Sequence, residues 1–397
     1  MRILMVNKYL YPKGGAETYV IKLGEYLRSL GHEVQYFGMS DKRNVVGNSA
    51  GAYTDNIDFH NASSAQKLTY PFKIIYSFGA AKKIRRVIAD FKPDIVHLNN
   101  FNYQLTPSII YEIKRSSVPI VYTAHDVQLV CPNHKFKHDN SKGLCRECVG
   151  GKFASCIKHN CVHSSKLRSV IGAAEAWLYR KKHTYRMIDK IVCPSLFMER
   201  ELSANGDIIG RTVTAYNFIE EIHTTGVERD NYVLYFGRYS EEKGIKTLIE
   251  AAKALPAIQF VFAGRGEMED EINSVSNIRN LGFKTGAELN EIIEKAAFTV
   301  LASEWSENCP FTVMESQTMR TPVIGARIGG IPELIEDGVT GLLFESGNAA
   351  ELTKKIEYLY TNKEICAEMS RNCEKISYDT ISGYADKMID LYKDLIK

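Results

Sequence analysis

Glu307 and Glu315 stand eight residues apart, with the short segment Asn308-Cys309-Pro310 between them. A proline at the first position of a helix loses nothing by lacking an N–H, so Pro310 predicts a helix through Phe311–Met319. The unpaired amides of such a helix start, helped by the helix dipole, make a seat for phosphate. Glu315, roughly a turn further on, offers a carboxylate to hydroxyl groups. An anion cradle between two carboxylates suits a phosphorylated, hydroxyl-rich ligand.

Matching chemistry recurs elsewhere in the chain. In KYLYPKGGAET (8–18), Gly14-Gly15 precede a predicted helix, and paired glycines let backbone amides approach a phosphate closely. Such pairs also make ordinary tight turns, and the GxGxxG dinucleotide fingerprint is not formed. Arg238 follows a predicted strand, and Lys243-Gly244 opens the next helix. This sets a forked cation and a point-charge cation at one ligand edge, suited to a diphosphate. The plainer alternative is two surface cations near a strand end. His125, followed by Asp126, also ends a strand; a histidine titrates near neutrality and can donate to an oxygen or carry a proton. A lone strand-end histidine such as His97 is more often structural.

Five of the nine cysteines fall between Cys131 and Cys161, interleaved with His134, His138, His159 and His163. Cys145-x2-Cys148 followed by Cys156 and Cys161 supplies four ligands for a structural zinc. Reduced thiols in a small core are the alternative, and disulfides a third, disfavoured in a cytoplasmic protein. A catalytic metal is not expected, because the cluster follows His125 rather than accompanying the proposed phosphate cations.

These residues need elements to position them. Apolar runs alternate with helical periods throughout, the pattern of parallel βαβ units and an α/β fold. Strands are predicted near Arg2–Val6, Val34–Phe37, Ile95–Leu98, Ile120–Thr123 and Lys190–Cys193, with helices near Ala16–Leu30, Phe72–Asp90, Gln104–Lys114 and Leu167–Met187. A second series runs through Tyr232–Phe236, Gln259–Ala263, Ile278–Leu281, Thr299–Leu301, Pro322–Gly325 and Gly341–Phe344. The hand-over falls between Val213 and Asn231. Domains are expected at 1–215, with an insertion over 127–165, and at 216–376, followed by a final helical segment over 377–397. Open parallel sheets bind ligands at the carboxyl ends of their strands, where the candidate residues lie.

A chain of 397 residues exceeds what one core usually supports. No run approaches the roughly 18–20 apolar residues of a membrane span. The start, MRILMVN, lacks a signal-peptide layout and reads as a buried strand, so a cytoplasmic protein is expected. The net charge of +3 hides an asymmetry: residues 1–190 carry 29 Lys and Arg against 14 Asp and Glu, the remainder 21 against 33. Basic runs at Lys82–Arg86 and Arg180–Arg186 are either solvated helix faces or a surface for anionic lipid. Nucleic acid is not expected, since no recognition module accompanies the charge.

As a set, Gly14-Gly15, TAHD at 123–126, GRYSEEKG at 237–244 and the E-x7-E of 307–315 resemble family 4 of the retaining glycosyltransferases. AGRGE at 263–267, LGF at 281–283 and GGIPELIEDGVTGLLF at 329–344 extend the likeness over nearly the whole chain. The resemblance implies the GT-B fold, two Rossmann-like domains facing across a cleft, with the last helix crossing back to the first domain. It implies transfer of a hexose or N-acetylhexosamine from a nucleotide (UDP) sugar to a glycan, lipid-linked acceptor, in cell-surface polysaccharide synthesis. By position, Glu315 would hold the ribose, and Glu307 the sugar at the cleaved bond. Asn308, Phe311 and Thr312 would meet sugar or phosphate. Arg238 and Lys243 would bind the diphosphate, Gly14-Gly15 would close over it, Phe283 would lie beside the base, and His125 would touch the transferred sugar. The family's commoner E-G-F-G reads Glu307-Asn308-Cys309-Pro310 here, which removes two glycines. Two cations would neutralise the departing diphosphate without a divalent ion, so metal-independent catalysis is expected, with zinc confined to structure. A peripheral position on the inner membrane face would follow from the acceptor. The alternatives are a sugar-nucleotide epimerase on the same fold and a non-catalytic glycan- or nucleotide-binding module.

Overall fold

A computed structural model describes residues 1–55, 73–138, 141, 143–220 and 227–396. The apolar runs become short parallel strands buried on both faces, as helix-covered parallel sheets require. The first sheet contains β1 (Arg2–Val6), β2 (Glu33–Phe37), β3 (Ile95–Leu98), β4 (Ile120–Thr123), β5 (Lys190–Cys193) and β6 (Thr212–Thr214), in the order β2-β1-β3-β4-β5-β6. The second contains β7 (Tyr232–Arg238), β8 (Gln259–Arg265), β9 (Ile278–Asn280), β10 (Phe298–Leu301), β11 (Val323–Ala326) and β12 (Gly341–Phe344), in the order β12-β11-β10-β7-β8-β9. Strand order reverses between β1 and β3 in one sheet and between β7 and β10 in the other. Such switch points open a ligand crevice at the carboxyl edge.

The chain forms two units, Met1–Asn217 with Ile381–Lys397, and Phe218–Thr380. In the first unit, helix α1 (Gly15–Ser29) follows β1, α2 (Phe78–Phe91) precedes β3 and α3 (Ser108–Arg115) precedes β4. The insertion carries α4 (Ala154–Lys158) and α5 (Lys166–Lys181), and α6 (Leu196–Ser203) follows β5. In the second unit, α7 (Ile245–Ala254) follows β7 and α8 (Phe311–Thr318) follows β10; the last helix, α9, spans Ile381–Ile396. It rejoins the first unit because Tyr384, Ala385, Met388, Ile389 and Tyr392 form one apolar face that is buried there. Its polar tips are satisfied by that unit: Tyr384 shares a 2.9 Å hydrogen bond with Tyr19, and Tyr392 a 2.5 Å bond with His97.

Several boundaries differ from the sequence expectation for local reasons. The helix expected over Leu167–Met187 stops at Lys181, because His183 takes left-handed backbone (φ 49°) and a 3-10 turn follows over Thr184–Met187. The helix expected from Gln104 begins at Ser108, since Thr106 (φ 59°) breaks the path before Pro107. The helix expected over Phe72–Asp90 is broken at Tyr76-Ser77: residues 73–75 are helical, and α2 starts at Phe78, where Ser77 in extended backbone accepts a bond from the Ala80 amide; Phe72 itself lies outside the described residues. Strand β6 occupies what read as the start of the linker. Residues 221–226 of that linker, and 139, 140 and 142 of the insertion, lie outside the described residues. Among the described residues no helix is long and apolar enough to cross a membrane.

Candidate functional site

In the second unit the loops after β7 and β10 are pressed together by glycine. Gly244 has φ 71°, and a Cβ there would stand 1.8 Å from the Ala302 carbonyl oxygen, so any side chain would push the two loops apart. That approach brings Lys243 onto Glu307: Nζ lies 2.5 Å from Oε1, with side chains 21% and 10% exposed. Ser303 Oγ donates to the same carboxylate at 2.6 Å. Behind it, the Gly330 amide donates to the Glu307 carbonyl at 2.7 Å, and a Cβ on Gly329 (φ 61°) would fall 2.1 Å from that oxygen. Removing Lys243 would leave an enclosed carboxylate with one fewer partner, a cost on the order of 1–3 kcal/mol.

The other expected cation is placed differently. Strand β7 runs on through Gly237 and Arg238, in register with Gly264 and Arg265 of β8. Arg238 is 62% exposed and pairs with Glu242 of its own loop at 3.0 Å, apart from the Lys243–Glu307 pair. Its register neighbour Arg265 does not stand out by type or spacing, although it lies in the AGRGE of 263–267. The Arg265 guanidinium lies 4.5 Å over the ring of Phe283, which is exposed. Pro310 is the capping residue rather than the first helical one (ψ 120°), and α8 starts at Phe311. Cys309, which stands where the family's motif has phenylalanine, turns inward, 3.6 Å from Met314 Sδ, and fills core. Asn308, Phe311, Thr312 and Glu315 are half-buried around this helix start, with Phe311 edge-on to Phe218.

In the first unit the polar edge is wired to itself. Asn7, after β1, donates to Glu17 in the first turn of α1 (3.3 Å) and accepts from the Asn100 amide after β3 (3.1 Å). Burial raises the pKa of Glu17. Gly14 and Gly15 are exposed; Gly14 is extended and a Cβ there would meet only Glu17 Oε2 at an ordinary 3.4 Å. His125 Nε2 donates to Asn99 Oδ1 at 2.8 Å, and its ring lies edge-on to Tyr19, 5.0 Å between centroids. Desolvation lowers its pKa, which leaves it neutral with Nδ1 unspent. His97 is fully buried between Tyr392 and Thr123 (2.5 and 2.7 Å), and desolvation holds it near a pKa of about 3. It is a scaffold residue. Glu17, Asn7 and Asn99 were missed in the sequence; Glu17 sits in the quoted GGAET, but its burial is not a local property.

Within the insertion, Cys131, Cys145, Cys148, Cys156 and Cys161 line one small cavity with Asn133, Phe136 and Lys137. All nine cysteines are thiols rather than disulfides. Among the described residues, the group of three ligand atoms lying within 4.8 Å of one another is His138, Glu147 and His159 rather than a set of thiols. Part of the basic runs is engaged: Lys83 with Asp55, Arg85 with Glu112, and both His183 and Arg186 with Asp207.

The sequence model described as Glycosyltransferase Family 4 matches residues 13–221, and that described as Glycosyl transferases group 1 matches 218–376. An uncharacterized glycosyltransferase of Methanocaldococcus jannaschii is 30% identical over 50% of this chain and 57% of its own length. The chain thus spans little more than half of that curated relative. The alpha-monoglucosyldiacylglycerol synthase of Acholeplasma laidlawii is 24% identical over 100% of this chain and 98% of its own. Among solved structures, HepE of Anabaena in complex with UDP superposes with a TM-score of 0.69 at 16% identity, covering 99% of this chain and 100% of that one.

Proposed function

Since the chain belongs to glycosyltransferase family 4, with the two Rossmann-like units of the GT-B fold, we propose that it moves a hexose or N-acetylhexosamine from a UDP-type donor to a glycan, with retention of configuration. The observation that carries this is the Lys243–Glu307 pair at the switch point of the second sheet, flanked by the start of α8. Lys243 has three donors and Glu307 spare lone pairs, so an incoming diphosphate and sugar can re-partner both. Lys243, Arg238 and the α8 amides stabilise the charge that builds on the leaving diphosphate, and preorganised groups of this kind dominate many enzymes. Glu315 binds the ribose, Phe283 lies beside the base, and Glu307 and His125 contact sugar oxygens. In the step itself the acceptor oxygen bonds to the anomeric carbon on the face that the phosphate leaves. The sugar–phosphate bond breaks, and the acceptor proton passes to a leaving phosphate oxygen. With two cations assigned to the diphosphate, this role calls for no divalent ion.

The acceptor is proposed to be lipid-linked, in cell-surface polysaccharide synthesis, with the protein peripheral on the inner membrane face. Helix α5 supports this: Leu167, Val170 and Trp177 are 69%, 41% and 44% exposed at spacings of three and seven residues, hence on one face, among Lys166, Arg168 and Lys181. The relative that covers the whole chain is named for a diacylglycerol glycolipid. Sedimentation with anionic and neutral vesicles tests this, the protein and a Leu167→Ser/Trp177→Ser variant in parallel; equal binding by both proteins would refute the docking face. For the reaction, a panel of nucleotide sugars is tested by calorimetry and by NMR of the products. Absence of nucleotide binding would sink the transferase reading, and isomerisation of donor alone would point to an epimerase.

A further inference from the structure

We propose that the insertion of the first unit binds one zinc ion through the thiolates of Cys145, Cys148, Cys156 and Cys161. The four thiols come from two short segments, Cys-x2-Cys and Cys-x4-Cys, and face one cavity. The turn after Cys148 runs through Gly150 (φ 80°) and Gly151 (φ 94°), a left-handed path that glycine takes without strain. Cys156 and Cys161 hydrogen-bond to each other. Lys137 lines the same cavity and would offset part of the charge of four thiolates.

Energetics point the same way. The insertion's own apolar cluster consists of Cys148, Phe153, Cys156, Val162 and Ala173, with Ile157, Cys161 and Ala176 against it. Thiols supply much of this cluster, which is little to hold a loop-rich segment together, and metal-ligand bonds supply folding energy where a core cannot. Cys131 is the fifth thiol of the cavity and is excluded as a ligand. Its S–H donates to Asn133 Oδ1 at 2.9 Å, the oxygen that also takes the Lys135 amide, so it is tied into a turn of its own loop. On binding, each of the four thiols releases its proton to solvent, and the sulfurs draw in to about 3.8 Å from one another, the tetrahedral edge for a Zn–S bond of about 2.3 Å. His138, Glu147 and His159 are the competing ligand set in the same insertion, so the test must tell sulfur from nitrogen and oxygen.

The full chain, purified without chelator, is expected to contain about one equivalent of zinc, released in step with mercurial titration of its thiols. Cobalt exchanged into the site should give the strong sulfur-to-metal charge-transfer absorption of a thiolate site. Cys145→Ser/Cys148→Ser should lose the metal, while Cys131→Ser and His138→Ala/His159→Ala should keep it. Zinc below about a tenth of an equivalent, with no cobalt charge-transfer band on reconstitution, would overturn the proposal. So would loss of zinc in the histidine variant together with retention in the cysteine pair. The wild-type measurements stand even if the cysteine variant misfolds.

Discussion

At the edge of the first sheet, His97 is enclosed between Thr123 and Tyr392, and His125 leans on Asn99. At the edge of the second, Lys243 and Glu307 bond each other at a partly open position, and Arg238 reaches into solvent beside Glu242. Both edges gather polar side chains at a switch point. In the first, partners from the same unit, including its last helix, absorb most of the bonding capacity. In the second, opposite charges face each other with capacity left over, and an anionic ligand can take the place of Glu307 on Lys243. A residue's type and strand-end position are therefore a poor guide to its role until its partners are known.

The comparison breaks most sharply at Lys243. Lys243→Ala is expected to lower kcat/KM with a nucleotide-sugar donor by about 100-fold or more, corresponding to the roughly 3 kcal/mol that one preorganised donor supplies. Steady-state kinetics reads it, and a near wild-type rate would dismiss the second edge as the reacting one. His97→Leu should behave in the opposite way, lowering unfolding free energy by about 2 kcal/mol through two lost buried bonds while turnover changes only a few-fold. Denaturant titration measures it.

The same histidine sharpens the contrast through pH. The folded chain keeps His97 neutral down to about pH 3, whereas an unfolded histidine takes up a proton near pH 6.5. Between these values the unfolded state binds more protons, so stability from His97 is complete above about pH 6.5 and is lost as pH falls toward 3. The melting-temperature gap between wild type and His97→Leu should therefore narrow from pH 7 to pH 5. A gap that widens would show that His97 is charged in the folded state.

Glu315→Ala is expected to weaken nucleotide binding about tenfold, roughly 1.4 kcal/mol, with the fold unchanged; calorimetry with the free nucleoside diphosphate reads it directly. The smallest effect is expected at Phe283. Its ring carries the Arg265 guanidinium at an exposed position, worth about 0.5–1 kcal/mol, so Phe283→Ala should raise donor KM only a few-fold.

Much of the fold was legible because burial follows local pattern. Short, mostly apolar runs such as Ile95–Leu98 and Ile120–Thr123, spaced between helical periods, read as strands buried on both faces, and these came out at the residues expected. Breaks inside helical periods were harder. The turn at His183 and the extended Ser77 depend on single backbone conformations that the periodicity does not register. At the site, Lys243, Glu307 and Arg238 stood out by type and spacing. Gly329, Ser303 and Arg265 did not, since a glycine forced by close approach looks in sequence like any other.

By itself, the sequence determined two parallel α/β units, the strand ends on which candidate residues sit, and a cysteine-rich insertion in the first unit. Tertiary structure alone decided which of those residues meet. Lys243 and Glu307 are 64 positions apart and touch because β7 and β10 are neighbours and Gly244 lets their loops close. His97 and Tyr392 are 295 positions apart and meet because the last helix returns to the first unit. Hydrophobic periodicity is written over a few residues and sets burial, whereas strand order and loop contact depend on the whole chain. The pairing of charges follows the latter.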